Sequence, residues 1–166
     1  MRPFLPLCLL AMLPALQGCA LQPLYAGGAQ AGVAQGLGSI SVSPIQGKAG
    51  WLMHNALVDQ LGTAPEGTTP RYRLEVRLDD QLLGLGLLSN NTVGRERRIL
   101  RARYQLIDAA SGAILLDATA GSDAGLDVVS SEYATVAAEQ TALENLTRVV
   151  AGRIVTNLAV KLRARQ

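Results

Sequence analysis

Residues 71–79 constrain the fold more than any other stretch of the chain. Arg71, Arg73, Glu75, Arg77 and Asp79 alternate with Tyr72, Leu74, Val76 and Leu78. In an extended chain successive side chains point to opposite faces. A strand here has one charged face and one apolar face, so it belongs in a sheet covered on one side only. A second strand answers it: Leu100, Ala102, Tyr104 and Leu106 alternate with Ile99, Arg101, Arg103 and Gln105. Between them, Ser89-Asn90-Asn91-Thr92, with Gly94 close by, suits a hairpin tip. An in-register pairing sets Val76 opposite Tyr104 and Leu74 opposite Leu106 on the apolar side. On the charged side Asp79 then meets Arg101, and Arg77 meets Arg103. A slip of two residues would change every partner while keeping the same faces.

The flanking segments complete one domain over residues 39–166. Ser39-Ile40-Ser41-Val42-Ser43 has the period of a half-buried strand and ends at Pro44. From Lys48 to Leu61, apolar positions recur at helical spacing, and Gly62 suits the C-terminal cap. Thr63 to Pro70 is rich in turn residues. After Asp108-Ala-Ala-Ser-Gly112, a last strand alternates Ile114, Leu116, Ala118 and Ala120 with Leu115, Asp117 and Thr119. A long helix follows. Ser130 or Ser131 caps it, Glu132 suits its positive end, and Val136, Leu143, Leu146, Val150, Ile154 and Leu158 recur along it. The order β-α-β-β-β-α predicts an α+β two-layer sandwich: a four-stranded mixed sheet with two helices on its apolar face.

The N-terminal segment reads differently. Residues 1–18 carry one positive charge, Arg2, then an apolar run from Phe4 to Leu16, too short for the roughly 20 residues of a bilayer-spanning helix. This is the layout of a signal peptide. Leu16-Gln17-Gly18-Cys19 resembles the lipobox of bacterial lipoproteins, which implies cleavage before Cys19 and acylation of that residue. Several acyl chains hold a protein on a membrane where a single chain lets it leave. Ala20 stands where an aspartate would resemble an inner-membrane retention signal, so the resemblance implies the outer membrane, periplasmic side. Losing Arg2 changes 15 Lys+Arg against 13 Asp+Glu to 14 against 13, a near balance. Cys8 leaves with the signal and Cys19 would carry lipid, so the folded body has no disulfide and rests on packing. Residues 20–38, glycine-rich and uncharged, read as a flexible tether behind the lipidated Cys19.

Cys19-Ala20-Leu21-Gln22-Pro23-Leu24-Tyr25, together with the lipobox, the tether and the element order, resembles the lipopolysaccharide-assembly lipoprotein family LptE, in its alphaproteobacterial form. The resemblance spans essentially the whole mature chain. It implies an outer-membrane lipoprotein that sits in the lumen of the large β-barrel LptD. There it would help that barrel assemble and take part in inserting lipopolysaccharide into the outer leaflet. A second reading stays open: a lipoprotein adaptor of another envelope lipid-transport or secretion complex. A periplasmic enzyme is a third.

The residues themselves give catalysis no positive support. His54 is the sole histidine and has no cysteine or acidic partner at metal or triad spacing. Asp79 and Asp80 are neighbours on a strand and so point to opposite faces. No cofactor or metal motif is present. The informative feature is basic: Arg71, Arg73, Arg77, Arg101 and Arg103 share the uncovered sheet face, extended toward the hairpin tip by Arg95, Arg97 and Arg98. Like charges on paired strands are unfavourable, and an anionic ligand or acidic partner would relieve them. A solvated surface is the plain alternative. With the family resemblance, Arg77, Arg95, Arg97, Arg98, Arg101 and Arg103 become candidates for contact with the barrel or with lipid A phosphates, the last role falling first on Arg95, Arg97 and Arg98. Periplasmic location leaves no place for nucleic acid. Leu82-Leu83-Gly84-Leu85-Gly86-Leu87-Leu88 is too short to span a membrane; it is either a strand end under the helices or an exposed apolar run that a partner or lipid covers.

Overall fold

The computed structural model describes residues 29–62, 67, 69–87, 93–129 and 131–164. The signal peptide, Cys19, the start of the tether and the hairpin tip at 88–92 lie outside the described residues. The elements are α1 (Ala29–Gly38), β1 (Ile40–Val42), α2 (Gly47–Leu61), β2 (Tyr72–Leu87), β3 (Val93–Asp108), β4 (Ile114–Asp127) and α3 (Glu132–Arg163). The strands form one sheet in the order β1-β2-β3-β4, with β1 parallel to β2 and the remaining pairs antiparallel. This is the expected α+β sandwich, with one helix more.

That extra helix lies within the segment that reads as a tether. Residues 29–38 form α1. A short helix carrying several glycines is marginal alone; it persists where an apolar face packs. Val33 and Leu37, one turn apart, are both buried in the common core, and Gly36 lets the backbone come close to the Leu162 side chain of α3.

The antiparallel register of β2 and β3 is the in-register one, with Val76 opposite Tyr104, Leu74 opposite Leu106 and Arg77 opposite Arg103. The strands run further than the sequence periodicity suggested, pairing as far as Leu87 with Val93. Even-numbered residues of both strands make the inner face. Tyr72, Leu74, Val76, Leu100, Ala102, Tyr104 and Leu106 are buried there beneath the helices. One irregularity between Leu106 and Ile107 bulges β4 at its start, where a bulge re-aims a strand. The β3–β4 turn is held by Asp108: its carboxylate accepts from the backbone N–H groups of Ala110 and Ser111, and Gly112 supplies the positive φ of 71°.

α3 organises the helical layer. At 32 residues it is about 48 Å long. Ser131 caps it, accepting from the Ala134 N–H, and Lys161 and Arg163 stand in the last turn. From Ala142 to Leu162 it buries one face, including Leu143, Leu146, Val150, Ile154 and Leu158. From Glu132 to Thr141 it buries nothing, and Val136 is 56% exposed. Its first turns therefore overhang the far part of the sheet. α2 lies beside it, placing Met53, Leu57 and Leu61 in the core, and Gly50 brings its backbone so close to the Ile45 carbonyl that a side chain would collide.

Candidate functional site

Odd-numbered residues of β2, β3 and β4 form the uncovered face. Along β2 stand Arg73, Glu75, Arg77 and Asp79; along β3, Arg95, Arg97, Arg101, Arg103 and Gln105. The sequence pattern identified these. It gave less attention to β4, whose Asp117, Asp123 and Asp127 point the same way. The alternation Asp117, Thr119, Gly121, Asp123, Gly125, Asp127 is the signal that finds them.

Those carboxylates change the electrostatics of the face. Arg103 grips Asp117 with two hydrogen bonds, from Nε to Oδ1 at 3.1 Å and from Nη2 to Oδ2 at 2.9 Å, and Gln105 adds a third at 2.8 Å. Arg97 reaches Asp123 at 3.5 Å, Arg95 reaches Asp127 at 3.1 Å, and Arg73 reaches Glu75 at 3.1 Å. All four pairs are solvent-exposed, so each adds little stability. Together they convert a run of like charges into a lattice of alternating sign. Asp79 stands opposite Arg101, as expected, but its carboxylate accepts from the Gln81 amide at 3.0 and 3.1 Å. Arg77 and Arg101 are left without an ion pair among the described residues. Arg77 borders a depression of about 170 Å³ with Glu75, Arg103 and Gln105.

The Arg103 and Gln105 bonds hold the Asp117 carboxyl at about 2, Arg103 contributing most, and the same pair raises the Arg103 guanidinium. A depressed carboxyl favours the folded state above the unfolded carboxylate range, near pH 4, and loses that contribution as pH falls toward 2. Arg103→Gln should move the Asp117 midpoint up toward the ordinary range, read by carboxyl-detected NMR titration. An unmoved midpoint would show that Gln105, not the arginine, sets it.

Arg98 does not belong with Arg95 and Arg97. Its even number places it on the inner face, where its side chain is 15% exposed and that of Asp80 22%. It donates to both Asp80 oxygens, at 2.8 and 2.7 Å, and to the Glu139 carbonyl of α3 at 3.0 Å. The strand ribbon is thereby tied to the overhanging part of α3. Beside this junction a cleft of about 690 Å³ runs between the start of α2 and the start of α3. Lys48, Leu78, Tyr133 and Val136 line it with Arg98 and Asp80. Tyr133 is 86% exposed. No sequence signal distinguished this cleft.

Among the described residues no cluster of three or more His, Cys, Asp or Glu is placed to hold a metal, and no helix is long and apolar enough to cross a membrane. Leu82, Leu83 and Leu85 are 42%, 43% and 40% exposed, so the leucine-rich end of β2 is not packed under the helices.

This arrangement has relatives. A family model described as lipopolysaccharide-assembly, LptE, matches residues 37–158, from the end of α1 to the last turns of α3. The chain belongs to the LptE family. A lipoprotein from Caulobacter crescentus CB15 has a similar structure, with a TM-score of 0.68 and 27% identity over 81% of this chain and 98% of that one. Rare lipoprotein B from Shewanella oneidensis shares the fold at a TM-score of 0.58 and 11% identity, over 76% of this chain and 98% of its own. Lipoprotein B from Nitrosomonas europaea does so at 0.51 and 15%, over 70% and 77%. No curated protein sequence matches. Membership of the LptE family ties the chain to lipopolysaccharide assembly, and the LptE match ends before the described C-terminal residues of α3.

Proposed function

We propose that this chain is an outer-membrane lipoprotein, anchored through Cys19, that seats its domain in the lumen of an LptD-type β-barrel. There it takes part in moving lipopolysaccharide to the outer leaflet, as a non-catalytic component. The family match over residues 37–158 carries the reading. The charged sheet face supports it, because a barrel lumen is polar and the face meets such a wall with Arg73, Arg95, Arg97 and Arg103 already paired. Seven of the eight arginines singled out in the sequence stay available to an outside partner. Arg95, Arg97 and Arg103 must release an aspartate first, whereas Arg77 and Arg101 have none to release, and we assign lipid A phosphate contact first to these two. Arg98, committed to Asp80 and Glu139, serves the ribbon–helix junction instead.

Gentle detergent extraction followed by mass identification tests the partner. A barrel of far larger mass should co-purify; recovery of an inner-membrane or periplasmic complex in its place would point to the adaptor role. Reversing Arg77 and Arg101 together to glutamate should lower lipopolysaccharide capture by about a hundredfold or more, the loss of at least one charge-assisted hydrogen bond from each. Unchanged capture by that variant would remove these arginines from the contact.

A further inference from the structure

The sheet has two edges and treats them differently. Among the described residues, pairing on the β1 side covers only Tyr72, Arg73 and Leu74 of β2. The Tyr72 N–H donates to Ser39, and the Leu74 carbonyl accepts from Ser43 at 2.9 Å. Pro44 then ends β1, and β2 continues to Leu87 without it. Because backbone groups of alternate residues face alternate sides of a strand, the N–H and C=O of Asp80, Leu82 and Gly84 point away from β3, as those of Tyr72 and Leu74 do. Every residue from Asp79 to Leu85 is exposed. β4, on the other edge, is guarded: Asp117, Asp123 and Asp127 alternate along it, and Arg153 of α3 donates to its Gly121 carbonyl. Between Leu82 and Leu85 the β2 edge carries no charge, proline or bulge, the devices that keep open strands from pairing.

We propose that the open edge of β2, from Asp79 to Leu85, is a docking site for an extended segment of a partner polypeptide, which adds a fifth strand to the sheet. Only another backbone meets the row of donors and acceptors at Asp80, Leu82 and Gly84 while covering leucines that project to both faces. A lipid chain would cover the leucines and strand those polar groups in an apolar phase, at a cost of several kcal/mol for each group. A second copy fits poorly. The edge is polar from Asp79 to Gln81 and apolar from Leu82 to Leu85, so a two-fold antiparallel pairing of this segment, centred on Leu82, sets Asp79 against Leu85 and Gln81 against Leu83 of the other copy. The incoming segment is therefore from a different chain, apolar where it passes Leu82, Leu83 and Leu85. The proposal stands on the edge itself and holds whether or not the partner is the barrel.

The test uses the full-length chain in detergent micelles and a synthetic peptide of about eight residues, ordinary strand length, alternating leucine and threonine. Every second amide is N-methylated, so only one of its edges can pair. Residue-resolved hydrogen exchange should show saturable protection of Asp80, Leu82 and Gly84, slowed by about tenfold or more, with β4 unchanged. Leu83→Asp, at an exposed position, should weaken peptide binding by about tenfold, and Gly84→Pro, which removes one edge N–H, should abolish it. Protection spread equally over β4, no saturable protection, or the same pattern on adding phospholipid vesicles alone would overturn the assignment. So would protection that appears without peptide as the protein dimerises in sedimentation.

Discussion

Truncating Tyr104 to alanine is expected to destabilise the domain by about 3–5 kcal/mol, the range for removing a large buried ring. Tyr104 stands in the centre of the sheet, opposite Val76 of β2 and Ala118 of β4, and is 0% exposed. Small neighbours cannot collapse far into the space its ring leaves, which places the change at the costly end for its chemistry. Its hydroxyl also accepts from the Asn157 amide of α3 at 2.8 Å, linking the sheet to the long helix. Tyr104→Phe separates the two contributions. The ring stays, Asn157 turns to water, and the loss should be about 0.5–1.5 kcal/mol. Chemical denaturation reads both as a lower midpoint at constant slope. Since whole domains are stable by only about 5–15 kcal/mol, the alanine variant should be close to unfolding. Equal losses for the two variants would mean that the hydroxyl bond, not the ring, holds the layers together.

The ring at position 104 is also where the sequence was most legible. Strict alternation along 71–79 and 99–106 determines which face each side chain takes, because a one-residue slip would send every apolar side chain into water. A slip of two residues keeps both faces, so the pattern leaves the β2–β3 partners open, and the chain takes the in-register pairing. The helical layer was less transparent. In α3 the periodic positions from Leu143 onward are buried, but Val136 obeys the same period and is exposed: periodicity marks a face, not how far the opposing element extends. α1 was hidden for a different reason. Its glycines and lack of charge resemble a linker, and two apolar residues, Val33 and Leu37, hold it in the core. A helix of that kind is specified by what it packs against, information that a local window does not contain.

The charged face was half legible for a related reason. Arginines on β2 and β3 stood out by number, whereas the aspartates that answer them on β4 are dispersed among glycine, serine and threonine. Cross-strand neutralisation depends on which strands are adjacent and in what register, so a patch that reads as basic in one hairpin becomes an alternating lattice once the third strand is in place. The exposed leucines of β2 were visible in the sequence, but their meaning was not. That depends on β1 stopping after three residues, which leaves their edge open.

Arg98 and Asp80 provide the second large effect. Replacing either with alanine should cost about 1–3 kcal/mol, because each leaves a partly buried charge without its partner. Some water reaches both side chains, which moderates the loss relative to a fully buried pair. The double alanine variant should lose less than the sum, with a coupling of about 1–2 kcal/mol in a double-mutant cycle followed by denaturation. Arg98→Ala carries an added consequence: it frees the Glu139 carbonyl and loosens the start of α3 from the ribbon. Hydrogen exchange along the first turns of α3 should therefore quicken in that variant and much less in Asp80→Ala. The exposed pair Arg95 and Asp127 is the control, one strand face away and similar in chemistry; its cycle should stay within about 0.5 kcal/mol. Comparable coupling for the two pairs would show that the inner position of Arg98 confers nothing. A clear difference would separate one arginine that holds the fold from neighbours that remain free to meet a partner, on no more than the parity of its position in β3.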